Sequence, residues 1–332
     1  MKKKGIVLFV AAGVIVLAAL AVLFVRNNGG PKEREKLKVG VNEAISALIF
    51  VGHQQGMFKR HGLDLSLKNY QVGLYSINDL VEGKVDVAGC TELALALQGF
   101  KRSDLRALAT IASADSIDVV ARKDHGINRP EDLRGKRVGA NRNTASEFFF
   151  LSFLSFHGVS PSEIQLIDLK PSEMVTALVE GKIDAASCYY PYSDVLKKTF
   201  GENAVVWNAQ GRQDYYFLLV VKDEFIKTRP RAVTGLLKGL LEAETFVKEH
   251  DKESMEITAR ALNLDPEILA RYWGRGRFRV RLDQEILTLM EDEARWAIRN
   301  KMVDGQKAPN YLNLLYLDGL EKLKPDAVSV VH

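Results

Sequence analysis

Leu80-Val81-Glu82-Gly83-Lys84-Val85-Asp86-Val87-Ala88-Gly89-Cys90 recurs as Leu178-Val179-Glu180-Gly181-Lys182-Ile183-Asp184-Ala185-Ala186-Ser187-Cys188, at a constant offset of 98 residues. Eight of the eleven positions are identical, too many for a chance recurrence of a common turn phrase. Each copy reads as a helix end, a turn at Gly-Lys and a short buried strand that closes in small residues and a cysteine. One recurrence at so long a period is not a solenoid; it marks two similar lobes. Small residues at the C-terminal end of a strand in an α/β sheet leave room for a ligand. The expected site therefore lies between the lobes.

Working outward, strand and helix patterns alternate, which means βαβ units and a mostly parallel sheet. Leu37–Asn42 is strand-like, Ala44–Arg60 is a helix pattern closed by Gly62, and Leu63–Asn69 is the next strand. An apolar helix, Thr91–Phe100, follows the first copy of the repeat. Leu105–Arg122 is β-rich and broken at Ser113–Ser116. A helix starting near Thr144 or Ser146 carries Phe148, Phe149, Phe150, Leu151, Phe153, Leu154 and Phe156, and this crowding reads as core packing. Tyr215–Val221 is a strong strand. From Asp223 to Ala297 the pattern is helical, with Pro230 and Pro266 near helix starts.

The 332 residues suffice for two lobes. Apolar content of 47% and charged content of 27% fit a globular chain. The net charge of +4 misleads, because residues 1–36 carry +5 and the remainder −1. A near-neutral body has no electrostatic footprint for nucleic acid. Gly5 to Val25 is an unbroken apolar run of 21 residues behind Lys2-Lys3-Lys4, long enough to span a bilayer. The lysines hold the N-terminus in the cytoplasm and send the body out. The run ends in Leu23-Phe24-Val25-Arg26, a poor cleavage site, so an uncleaved anchor is preferred over a cleaved signal. No cysteine follows the run at once, which excludes lipid attachment there. Cys90 and Cys188 are the only cysteines. Their equivalent places on opposite lobes argue for free thiols over a disulfide. The histidines show no metal-ligand spacing with each other or with cysteine, and no cofactor motif is present.

One family is similar. Asp132-Leu133-Arg134-Gly135-Lys136-Arg137-Val138-Gly139, the paired Leu-Val-Glu-Gly-Lys units and Phe225-Ile226…Arg229-Pro230…Val233 together resemble substrate-binding proteins of ABC importers. The branch resembled includes nitrate, taurine and alkanesulfonate binders and the thiamine-pyrimidine-precursor binders. The resemblance covers about residues 36–300. It implies a type II periplasmic binding protein-like α/β fold, with two mixed sheets flanked by helices and joined by two crossing strands, here behind an N-terminal transmembrane helix. On that model the segments are 1–26 (membrane anchor or signal), 27–36 (tether), 37–122 (lobe one), 123–214 (lobe two) and 215–332 (return to lobe one with C-terminal helices). The crossings fall near Ser116–Arg122 and Tyr215–Val221. The resemblance also implies a monomer in the cell envelope that closes on a small ligand and serves a membrane permease.

Four segments at strand ends or helix starts should line the cleft. Lobe one offers Asn42 and Glu43, then Cys90, Thr91 and Glu92, with Tyr75 and Ser76 before the first repeat helix. Lobe two offers Asn143, Thr144 and Ser146, then Tyr189, Tyr190 and Tyr192. Helix starts attract anions through free N–H groups, although Ser and Thr there are equally readable as caps. Tyrosine rings cover an organic ligand or pack inward. Arg142 has a fork for a sulfonate or is solvated surface. Glu43, Glu92 and Glu147 would repel an anion and favour an amine or a pyrimidine. The basic run Arg271, Arg275, Arg277, Arg279, Arg281 is a solvated loop or a docking patch. Binding protein is the first reading. An enzyme on the same fold, of pyrimidine-synthase or menaquinone-pathway type, and a tethered sensory module are the alternatives. No nucleophile–base pair or metal cluster supports the enzyme.

Overall fold

The structure is a computed structural model that describes residues 33–211 and 213–331. The anchor expected at 1–26 lies outside the described residues, among which no helix is long and apolar enough to cross a membrane. β1 (Glu35–Asn42) begins at Glu35, inside the segment 27–36 expected as a tether, of which residues 27–32 lie outside the described residues.

Eleven strands form two sheets among the described residues. β2 is Leu63–Tyr70, β3 Val87–Thr91 and β4 Leu105–Ala114; β5 is Ile117–Arg122, β6 Arg137–Ala140 and β7 Gln165–Asp168. β8 is Ala185–Tyr189, β9 Ala204–Asn208, β10 Tyr215–Lys222 and β11 Gly276–Arg277. The first sheet has the order β11-β4-β10-β3-β1-β2 and the second β7-β6-β8-β5-β9. Both are mixed. β3 runs parallel to β1 and antiparallel to β10, and β8 runs parallel to β6 and antiparallel to β5.

The passages between sheets are short loops rather than the expected strands. The chain leaves the first sheet after Ala114 and enters the second at Ile117. It leaves after Asn208 and re-enters the first at Tyr215. Ile117–Arg122 and Tyr215–Lys222 are themselves paired strands, since the backbone groups of such buried, apolar segments need ladder partners. Lobe two thus opens at Ile117, ahead of the expected Lys123. Gln210 stitches the loops together, its Oε1 accepting the N–H groups of Ser116 and Ile117 at 2.7 and 2.8 Å.

Local chemistry sets the other boundaries. The helix pattern over Ala44–Arg60 breaks at Gly56, whose φ of +66° is left-handed, leaving helices Ala47–Gln54 and Met57–Arg60. Gly83 and Gly181 close the two repeat helices at φ +75° and +70°. Helices Pro230–Glu249 and Pro266–Trp273 start at their prolines. The phenylalanines of helix Ala145–Phe156 are buried in the main core, except Phe156, which is 87% exposed. That core is continuous across both sheets, and Phe148 meets Trp296 of helix Gln284–Arg299 edge-on at 5.3 Å.

The basic run is mostly consumed internally. Arg275 pairs with Asp118 at 3.2 Å, reaching lobe two. Arg277 pairs with Asp214 and Arg281 with Asp283. Both cysteines are free and fully buried, and burial pushes both thiols well above their usual range.

Candidate functional site

The C-terminal ends of β1, β3, β6 and β8 converge on one pocket between the sheets. It is lined by residues of both sheets and of the C-terminal helices. Of the residues expected there, Asn42, Glu43, Thr91, Asn143, Thr144, Tyr189 and Tyr190 line it.

Each is placed by local structure. Asn42 ends β1, and its backbone is locked to the next turn: its N–H donates to Ser46 Oγ at 2.8 Å, and that hydroxyl donates back to the Asn42 carbonyl at 3.0 Å. The Asn42 side-chain amide donates to the Tyr70 carbonyl at 3.1 Å, while its Oδ1 is buried without a partner. Glu43 follows at φ +37°, a backbone region costly for a side-chain-bearing residue. Burial, partly countered by the Tyr192 hydroxyl, pushes its carboxyl up to about 7.

Three helix starts face the cleft: Gly73–Val81, Glu92–Gly99 and Ala145–Phe156. None is capped by the side chain of its N-cap residue, and at the Ala145 helix the Tyr189 hydroxyl takes the Ser146 N–H instead. Thr144 Oγ1 donates instead to the Asn141 carbonyl at 2.6 Å. The Gly73 helix approaches β3 so closely that a Cβ at Gly73 would lie 2.6 Å from Cys90 Cα. Only glycine allows that approach.

The remaining expected residues are placed elsewhere. Tyr75 and Ser76 lie inside the first turn of the Gly73 helix, because that helix begins earlier than the sequence pattern suggests, and Ser76 is fully buried. Cys90 sits beneath Gly73. Glu92 turns away, its carboxylate accepting the Tyr216 N–H at 2.9 Å, and burial pushes its carboxyl up. Ser146 is consumed internally: its N–H donates to the Tyr189 hydroxyl at 2.9 Å and its Oγ to the Ser187 carbonyl at 2.8 Å. Tyr192 stands outside the lining, yet its hydroxyl donates to Glu43 Oε1 across the lobes at 3.3 Å. Glu147 accepts the Asn143 N–H at 2.8 Å and pairs with the exposed Arg142 at 3.5 Å. Of the three acids in question, only Glu43 lines the pocket.

Sequence reading missed Gln71–Leu74, Tyr215, Phe217 and Tyr272. The alternation of Tyr215 and Phe217 on one face of β10 was a readable signal. Tyr272 had none, since it arrives from helix Pro266–Trp273 and stacks on Tyr190 at 4.7 Å. Gln71 Nε2 adds a second link across the mouth, to Ser172 Oγ at 3.2 Å. No cysteine, serine or histidine lines the pocket.

Comparison with known proteins gives a consistent picture. The family model described as NMT1/THI5 like matches residues 44–254. A Bacillus subtilis protein named for binding aliphatic sulfonates is 22% identical over 310 residues, 91% of this chain and 92% of that one. The structure named as the periplasmic aliphatic sulphonate binding protein SsuA from Escherichia coli superposes with a TM-score of 0.70 at 17% identity, covering 84% of this chain and 97% of that one. The desulfurization enzyme DSZB has the same fold, with a TM-score of 0.64 at 17% identity over 88% of this chain and 100% of its own. These likenesses show a periplasmic-binding-protein-like α/β fold of two sheets.

Proposed function

The chain belongs to the NMT1/THI5-like family, and on that premise we propose that it is the extracytoplasmic substrate-binding protein of an ABC importer. It captures a small organic solute between its lobes and presents the closed form to a membrane permease. The observation that carries this reading is the pocket itself, walled by both sheets and bridged at its mouth by Glu43–Tyr192 and Gln71–Ser172. Such polar links break and reform in water at little cost, as a closing cleft requires. Relatives named as periplasmic binding proteins support the location. The apolar run Gly5–Val25 is the proposed membrane anchor, and the proposed state is a monomer.

The enzyme reading draws on the fold shared with DSZB, but both cysteines are fully buried and neither lines the pocket. Small-angle scattering of the full chain, with and without a ligand that raises its melting temperature, tests the proposal. The radius of gyration is expected to fall on binding. An unchanged radius would mean a rigid site, and chemical conversion of the ligand would make the protein an enzyme.

A further inference from the structure

β1 runs from Glu35, where the chain enters the first sheet, to Asn42 at the pocket. At about 3.3 Å per residue, Lys36 lies about 20 Å from Asn42, at the pole of lobe one away from the cleft. The start of helix Pro230–Glu249 reaches the same pole, since the Arg229 guanidinium donates to the Lys36 carbonyl at 3.0 Å. Along one face of that helix stand Arg231, Thr234, Gly235 and Lys238, which with His61 and Pro230 line a shallow hollow. Gly235 lets the helix seat on the His61 turn, because a Cβ there would lie 2.9 Å from the His61 carbonyl oxygen. Arg231 and Lys238 are two helical turns apart, about 10 Å along the axis, so their long side chains flank the hollow.

The charges at this pole do not balance. Glu242 takes Arg60 at 2.7 Å and His61 at 2.6 Å, and Asp86 takes Arg229 at 3.0 Å. Lys36, Lys227, Arg231 and Lys238 are exposed and have no carboxylate partner, against Asp64 and Glu224 without a cation. The body as a whole is near neutral, so the excess is local. No side chain caps the helix at Arg229, and its positive dipole end adds to the field. Two free cations around a hollow that no carboxylate lines suit a phosphate group.

The chain itself says which phosphate. The apolar run Gly5–Val25 ends nine residues before β1, and nine residues reach at most about 30 Å. Those residues carry Arg26, Lys32 and Arg34 against Glu33. A body tethered through Glu35 has this pole within reach of the headgroups around its anchor. We propose that the pole of lobe one docks on anionic phospholipid, with a headgroup phosphate seated between Arg231 and Lys238, and that the cleft at the other end of β1 stays open to solute. This rests on the proposed membrane anchor and holds whatever solute the cleft takes.

The test uses the full chain in lipid nanodiscs, of phosphatidylcholine alone or mixed equally with phosphatidylglycerol. Both native cysteines are fully buried, so a fluorophore is placed on Thr228→Cys, at the exposed end of the preceding helix. Spin-labelled headgroups quench it on contact. Quenching is expected to be about threefold stronger in the mixed discs at low salt, as electrostatic attraction to anionic headgroups requires. It is expected to fall to the phosphatidylcholine level in Arg231→Glu/Lys238→Glu, and at about 0.5 M salt, where the Debye length is about 4 Å. The matched reversal Lys182→Glu/Lys198→Glu, on lobe two, is expected to leave it unchanged. Melting curves check that the variants fold. Equal quenching in the two lipids, or an equal loss in both reversals, would overturn the proposal. Relief of quenching by millimolar inorganic phosphate, alike in both lipids, would mean a site for free phosphate and overturn the docking. Recovery of a soluble chain cut after the apolar run would remove the anchor and the proposal with it, while ligand binding in the cleft would still stand.

Discussion

The two copies of the repeat occupy matching places and are held differently. Val39 faces Val87 and Gly40 faces Ala88 in lobe one; Val138 faces Ala185 and Gly139 faces Ala186 in lobe two. The Lys38 N–H donates to the Asp86 carboxylate at 2.7 Å, and the Arg137 N–H to Asp184 at 2.8 Å. The duplication thus extends to Lys38-Val39-Gly40-Val41-Asn42 and Arg137-Val138-Gly139-Ala140-Asn141. After these shared strands the lobes part. Glu43 stands where lobe two has Arg142, and Thr91-Glu92 where lobe two has Tyr189-Tyr190. The common residues build the scaffold, and the few that differ put an acid, Glu43, at one strand end of lobe one and tyrosines, Tyr189 and Tyr190, at one strand end of lobe two.

The aspartates offer the largest contrast. Asp184 is 11% exposed and holds the Arg137 guanidinium and His125, each at 2.7 Å. Burial pushes its carboxyl up, but these hydrogen bonds prevail and hold it well below the usual carboxylate range. Asp86 is 33% exposed and pairs with Arg229 at 3.0 Å. Asp184→Asn is expected to cost about 2–3 kcal/mol of stability, and Asp86→Asn about 1 kcal/mol or less, by urea unfolding at pH 7. Equal costs would mean that the copies are energetically alike after all.

The walls come next. Tyr190→Ala is expected to lower affinity ten- to a hundredfold, about 1–3 kcal/mol of lost ring burial. Tyr192→Ala, outside the lining, and Thr91→Ala, at the lobe-one position matching Tyr189, should cost less than about threefold. Calorimetry on the ligand found by thermal screening measures all three. An equal loss in the last two would mean that the Tyr190 ring gives the ligand no special cover.

The smallest effect concerns Glu43 against Arg142. An acid whose folded value lies above its unfolded one binds its proton more tightly in the folded state. Folding therefore loses stability as pH rises from 4.5 to about 7. Glu43→Gln is expected to raise unliganded stability on the order of 1 kcal/mol at pH 8, where solvent at the mouth screens part of the effect, and to change it little at pH 4. Arg142→Gln should show the opposite sign, costing stability at pH 8 and little at pH 4, because the buried Glu147 loses the cation that favours its charged form. A Glu43→Gln gain that is equal at both pH values would remove charge burial as its cause.

Helix closure at Gly83 and Gly181, the strands that follow and the prolines opening two late helices were legible because each depends on a residue's own backbone limits or on its immediate neighbours. The helix starting at Gly73 was placed too late, since its start is set by contact with Cys90 and not by a capping residue. Glu92 and Ser146 were read toward the cleft because helix starts there face it. Their side chains instead satisfy backbone and hydroxyl groups on neighbouring strands, which no local pattern reveals.

By itself the sequence determined that there are two related α/β units, where each turns, and which strand ends carry small or aromatic residues. These follow from periodicity, left-handed glycines and an internal repeat, all carried by short stretches of chain. The tertiary structure decided which of those ends meet. Asn42, Gly73, Thr91, Thr144, Tyr190, Tyr215 and Tyr272 share one pocket because the chain crosses between the sheets twice and then folds its C-terminal helices over the cleft. Contacts of that separation are fixed by packing and strand pairing, and so is the orphaned acceptor of Asn42, whose direction depends on a carbonyl 28 residues away.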